Sequence, residues 1–124
     1  MKMNLLLVED DPAQATYMEA MALQLGHRPL VANTLQGALD ALMTQHIDGA
    51  ICDLVLDSGS GLDVAKACEA HGVPVVFGTA SCDEYNINRM YQYGFVISKP
   101  LRMSALACAI EHFALCRKHR QARN

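Results

Sequence analysis

No apolar run in this chain approaches the roughly 20 residues that a membrane-spanning helix needs. The amino terminus, MKMNLLLVED, opens on a short apolar stretch, but acids end it and no small-residue cleavage site follows. That pattern argues against a secretory signal. CxxC spacing is missing as well. The five cysteines (Cys52, Cys68, Cys82, Cys108 and Cys116) are an odd number and scattered, which indicates neither a disulfide framework nor a zinc site. They read as reduced thiols of a cytoplasmic protein, several of them in the core. His27, His46 and His71 have no metal-ligand spacing and sit near helix ends or turns, where solvation is expected. Internal repeats and low-complexity segments are also lacking.

What is present fits one domain. The 124 residues are close to the usual domain size, and 52% are apolar, enough for a well-filled interior. The formal charge of −3 hides an asymmetry. The last eight residues, RKHRQARN, carry four of the ten Lys and Arg and none of the thirteen acids. We therefore divide the chain into an acidic body, residues 1–116, and a basic tail, residues 117–124. Four cations without aromatics are what the end of a last helix carries, and they give little footing for nucleic acid.

Short apolar runs alternate with segments of helical period. MNLLLV reads as a strand buried on both faces, and PAQATYMEAMALQLG as a helix that starts at Pro12 and stops at Gly26. RPLVAN is a weaker, edge strand. Thr34 can cap the helix LQGALDALMTQH. DGAICDL is a third strand, SGSG breaks the chain, and LDVAKACEAHG is a third helix. PVVFGT and FVIS are the fourth and fifth strands, and RMSALACAIEHFALCRKH closes the chain. Between those last two strands, ASCDEYNINRMYQYG has poor apolar spacing and two asparagines, which predicts a short or irregular helix. Met18, Met21 and Met43 lie at core spacing. Near-continuous apolar strands alternating with helices argue α/β: a doubly wound parallel sheet covered on both faces.

In such a sheet, ligands bind beyond the carboxyl ends of the strands, where the winding reverses. The first strand ends in Glu9 and Asp10, the third in Asp53, the fourth in Thr79 and the fifth in Lys99. With strand order 2-1-3-4-5 the first and third strands flank the reversal, so Glu9, Asp10 and Asp53 converge. Converging carboxylates call for a hard divalent cation, and oxygen ligands with room for water suit Mg²⁺. A carboxylate beside such an ion, a hydroxyl and an ammonium can take up a phosphoryl group.

LLLVEDDP, DGAICDLVLDSGSG, VPVVFGTA and ISKP occur in order and at suitable separations, and together they resemble the response-regulator receiver domain of two-component signalling. The resemblance covers essentially the whole chain. It implies a flavodoxin-like (βα)5 sandwich in which Asp53 is the phosphoacceptor. It further implies Mg²⁺ held by Asp10, Asp53 and the backbone carbonyl of Val55, with Glu9 acting through water. Thr79 would be the switch hydroxyl and Lys99 the phosphate partner, with a cis Lys99–Pro100 bond. Asp11 falls outside that set; a charge at the start of the first helix accounts for it.

Asp57 stands where most receivers have Pro, and Val96 where most have Tyr or Phe. Phe77, Gly78 and Thr79 are similar in part to a stand-alone subgroup marked by Phe-Ala-Thr-Gly, although Ala80 replaces the glycine. The expected function is a stand-alone receiver that takes its phosphoryl group from a sensor histidine kinase or histidine phosphotransfer protein. Output would pass by contact with a downstream protein, not by turnover of an external substrate. A phosphate-independent binding module and a fragment of a hybrid kinase or larger regulator are the competing readings. A Mg²⁺-dependent phosphohydrolase is a third, but it would carry an acid at position 55 and a cap domain.

Overall fold

The computed structural model describes residues 2–56, 59–79 and 92–123. Five parallel strands form the central sheet: β1 (Asn4–Val8), β2 (Arg28–Ala32), β3 (Gly49–Asp53), β6 (Val75–Thr79) and β7 (Gly94–Ser98). Their order is β2-β1-β3-β6-β7. This is the expected 2-1-3-4-5 once a small antiparallel hairpin, β4 (Val55–Leu56) with β5 (Gly59–Ser60), is counted in the chain numbering. The hairpin lies where SGSG read as a simple break. Two-residue strands are too short to show any periodicity. The segment predicted as a short or irregular helix falls mainly on residues 80–91, outside the described residues.

Alternation along the strands divides the interior in two, because successive side chains leave a strand on opposite faces. Leu6, Val8, Ala50, Cys52, Val75 and Phe77 face α2 (Leu35–Thr44) and α3 (Gly61–Ala70). Leu5, Leu7, Ile51 and Val76 face α1 (Pro12–Gln24) and the C-terminal helix (Met103–Arg123). Each fully buried leucine of β1 contributes about 1.5–3 kcal/mol through the apolar surface it removes from water. The β2 strand is at the edge, as expected, and has alternately exposed residues. Met18 and Met21 pack in the core, but Met43 is 77% exposed and corrects the expectation of packing there. Its neighbour Leu42 takes the inward position on α2.

Local signals set the helix ends. Asp11 is the N-cap of α1, its carboxylate accepting from the Gln14 N–H at 3.2 Å, which accounts for the third acid of the EDD run. Thr34 caps α2 in the same way through the Gly37 N–H at 3.0 Å. Gly26 (φ 86°) and Gly72 (φ 68°) sit just past α1 and α3 in the left-handed conformation. There the N–H groups of His27 and Val73 reach back to the Ala22 and Cys68 carbonyls, closing both helices.

The C-terminal helix runs to Arg123 without interruption at residue 116, so the basic segment continues it. Arg117 reaches back to Asp48, with Nη1 3.5 Å from Oδ1. Asp48 is itself buried, accepts from the Asn4 N–H at 2.8 Å, and meets His46 Nε2 at 3.1 Å. This cluster ties β1, β3 and the last helix together at the end of the sheet opposite the carboxyl-terminal one.

His46 and His71 are exposed, but His27 is half-buried and its Nδ1 accepts from the Met3 N–H at 3.1 Å. Burial lowers its pKa below the ordinary 6.5. The unfolded chain therefore binds this proton more readily, and His27 lowers stability as the pH falls below about 6.5. The urea midpoint should drop more between pH 7.5 and 5.5 for wild type than for His27→Gln. Equal drops would remove His27 as the source.

Candidate functional site

The polar residues at the carboxyl ends of the strands meet as the topology dictates. β1 and β3 are adjacent and flank the reversal of winding, so the residues just past Val8 and at Asp53 share one cleft. Glu9, Asp10 and Asp53 each offer a carboxylate oxygen, and these oxygens lie within 4.8 Å of one another. Glu9 is only 1% exposed, while Asp10 and Asp53 are half-buried. Three carboxylates this close repel and lose hydration, so a cation is required.

Lys99 supplies one. Its Nζ lies 2.6 Å from Glu9 Oε1 and 3.1 Å from Asp53 Oδ2. The side chains of Lys99 and Asp53 are 15% and 16% exposed, so solvent screens the contact weakly. Burial is the largest influence on Glu9 and raises its carboxyl pKa; the hydrogen bond from Lys99 and another from the Asp11 N–H offset this only in part. Burial also pulls Lys99 down, but its bonds to Glu9 and Asp53 together outweigh that and leave its pKa raised. The ammonium therefore stays charged.

The backbone holds this arrangement. The Glu9 N–H donates to the Ala32 carbonyl at 3.0 Å, carrying the β1–β2 ladder one residue beyond the strands. The Leu54 N–H donates to the Gly78 carbonyl at 3.1 Å, and the Lys99 N–H to the Thr79 carbonyl at 2.8 Å. The residues that follow β3 and β7 are thereby both hydrogen-bonded to the end of β6. Thr79 is buried at the end of β6, beside Gly78, the register partner of Asp53. The Lys99–Pro100 bond is cis, as the resemblance implied.

Two glycines complete the site, and the sequence reading had assigned neither a role in it. A Cβ on Gly61 would come within 2.6 Å of the Asp53 carbonyl oxygen and 2.8 Å of that of Leu54, so the start of α3 packs directly on the loop carrying the acid. A Cβ on Gly78 would lie 3.5 Å from Lys99 Cε and 3.7 Å from Cγ, which places the lysine stem over this residue. SGSG and FGT held the signal, but Gly61 reads first as a turn residue and Gly78 as part of a strand.

Cys52 packs in the core on the other face of the sheet, its thiol donating to the Asp53 carbonyl at 3.1 Å. Burial pushes its pKa well above the ordinary value, so it is an inert hydrophobe. Val55 begins β4, two residues after Asp53.

The family follows from comparison with known proteins. The family model of the response regulator receiver domain matches residues 5–111. The phyllosphere-induced regulator PhyR of Methylorubrum extorquens is 30% identical over 131 residues, spanning all of this chain and 49% of that protein. The chain thus spans about half the length of the curated relative it matches. A CheY-like receiver domain protein from Methanospirillum hungatei superposes with a TM-score of 0.87 at 21% identity, covering 96% of this chain and 99% of that one. The receiver domain of the sensor histidine kinase PA1611 from Pseudomonas aeruginosa, solved with magnesium coordinated in its active-site cleft, gives a TM-score of 0.80 at 24% identity, covering 91% and 98%. Receiver domains are signalling switches that interact with histidine kinases or phosphotransfer proteins and bind Mg²⁺ in an acidic pocket. By the extent of the family match, this chain belongs to the response regulator receiver domains.

Proposed function

We propose that the chain accepts a phosphoryl group on Asp53 from a phosphohistidine of a sensor kinase or phosphotransfer protein. The observation that carries this reading is Lys99 bridging Glu9 and Asp53 beside Asp10 at the reversal of the sheet. An Asp53 oxygen attacks phosphorus and the P–N bond breaks. The imidazole nitrogen keeps the electron pair and takes a proton, leaving an acyl phosphate on Asp53. The Lys99 ammonium and the Thr79 hydroxyl steady the phosphoryl oxygens. The hard oxygen donors fit Mg²⁺, with Asp10, Asp53 and the Val55 carbonyl as ligands and Glu9 acting through water. When bound, the ion neutralises charge on the phosphoryl group. Output then passes by contact with a downstream protein, with neither membrane nor nucleic acid engaged.

Intact mass after incubation with acetyl phosphate tests this reading. Wild type should gain one phosphoryl group only with Mg²⁺, and Asp53→Asn none. Uptake by the variant, or by wild type without a divalent ion, would move the acceptor or the cofactor elsewhere. No uptake from acetyl phosphate or from a panel of phosphorylated kinases would favour the phosphate-independent binding module.

A further inference from the structure

The hairpin after Asp53 pairs Val55 of β4 with Ser60 of β5, and Leu56 with Gly59. One step outward in the same register Leu54 faces Gly61, whose N–H donates to the Leu54 carbonyl at 3.1 Å. Bonded and non-bonded pairs alternate along an antiparallel ladder. Val55 and Ser60 therefore form a non-bonded pair, and the Val55 carbonyl points out of the hairpin. A slip of one residue would turn it into the ladder. Three contacts hold the register. Leu54 and Leu56, on either side of Val55, are both buried in the core shared with α2 and α3. Ser60 caps α3, its hydroxyl accepting from the Leu62 N–H at 3.1 Å. Gly59 lies close against Leu35, the first residue of α2: a Cβ there would come within 2.7 Å of Leu35 Cδ2 and 3.6 Å of its Cβ. Among the described residues only Gly26 and Gly72 have a positive φ, so Gly59 answers to this closeness and not to backbone conformation.

We propose that Gly59 is a positioning residue for the metal: by letting the hairpin seat on Leu35, it holds the register that leaves the Val55 carbonyl available as a ligand. The inference rests on the reading that this carbonyl holds Mg²⁺ together with Asp10 and Asp53. Asp53 ends β3 and Asp10 follows β1, so the main sheet fixes where both carboxylates stand. The carbonyl lies outside that sheet, on a two-residue strand paired within its own hairpin. Its placement therefore depends on how the hairpin is seated. Mg²⁺ demands near-ideal octahedral geometry, whereas Ca²⁺ accepts six to eight oxygens in flexible arrangements. A displaced carbonyl thus weakens Mg²⁺ binding more than Ca²⁺ binding. General loosening of the fold would weaken both alike.

Calorimetric titration of the full chain with Mg²⁺ and, separately, with Ca²⁺ tests this. Gly59→Val should weaken Mg²⁺ binding by about tenfold or more, and Ca²⁺ binding by clearly less. Gly59→Ala, which needs only the end of the Leu35 side chain to turn, should fall between that variant and wild type. Combining Gly59→Val with Leu35→Ala removes the obstacle and should restore most of the Mg²⁺ affinity. Thermal melts without metal confirm that each variant folds; should Gly59→Val fail to, the ratio of Mg²⁺ to Ca²⁺ affinity in Gly59→Ala decides, a fall supporting the proposal and an unchanged ratio overturning it. Wild type that binds no Mg²⁺ would bring down the reading of the cleft and this proposal with it. Where wild type binds and Asp53→Asn weakens binding, an unchanged Gly59→Val, equal losses for the two ions, or no recovery in the double variant would overturn the proposal alone.

Discussion

Replacing Lys99 by methionine is expected to cost about 3 kcal/mol of stability in the absence of divalent ions. Removing one partner of a buried ion pair costs roughly 3–5 kcal/mol, because the remaining charge is left uncompensated. The lower end applies because Lys99 and Asp53 retain a little solvent. Methionine keeps the stem that lies over Gly78 and removes only the charge. For a domain of this size the loss lowers the melting temperature by about 10 °C. The deficit should narrow in acid, since Glu9 already has a raised pKa and takes up a proton more readily still without its partner. Mg²⁺ should rescue the variant more than it stabilises wild type, since no ammonium competes for Glu9 and Asp53. A hundredfold excess over Kd is worth about 2.7 kcal/mol. Thermal melts with and without Mg²⁺ check both points. A variant as stable as wild type, with the same response to Mg²⁺, would show that the ion pair carries no weight.

Phe113→Ala should have the largest effect on folding. The ring is fully buried in the core beneath the C-terminal helix. It lies against the backbone of Gly49, where a Cβ would overlap the ring. Truncating a phenylalanine in such a place costs roughly 3–5 kcal/mol, and the matching void in the sheet has no side chain to collapse into it. A fall of about 10–20 °C in melting temperature follows. Chemical denaturation should show a lower midpoint with an unchanged slope. A loss below about 1 kcal/mol would mean that the helix repacks over Gly49. The acidic cleft lies at the other end of β3, so Mg²⁺ binding by the folded fraction should be unaffected.

The framework was legible because its causes are local. LLLV and AIC are apolar on both faces, Asp11 and Thr34 cap, Gly26 stops, and the acids follow the strands that a doubly wound sheet makes neighbours. Other features depend on residues far apart in sequence. Asp48 read as the polar start of a strand, and only the folded chain shows it buried between Asn4 and Arg117. Glu9 reads as one of the cleft carboxylates, and only the folded chain shows that it holds Lys99, a partner ninety residues away. Met43 matched the helical period of the core, but α2 turns that position to solvent.

The lysine stem lying across Gly78 implies a requirement on length. Glu9 and Lys99 follow strands that are three places apart in the sheet, roughly 14 Å at the usual spacing. They nevertheless touch, because the two are among the longest side chains of their respective charges and nothing projects from Gly78 between them. One methylene less on the acid shortens the reach, and at position 78 a Cβ already meets the lysine stem, so a branched residue there would crowd it. The order Glu-Asp in the EDD run thus reads as a reach: the longer acid stretches to the far edge of the cleft, and the shorter one stays home.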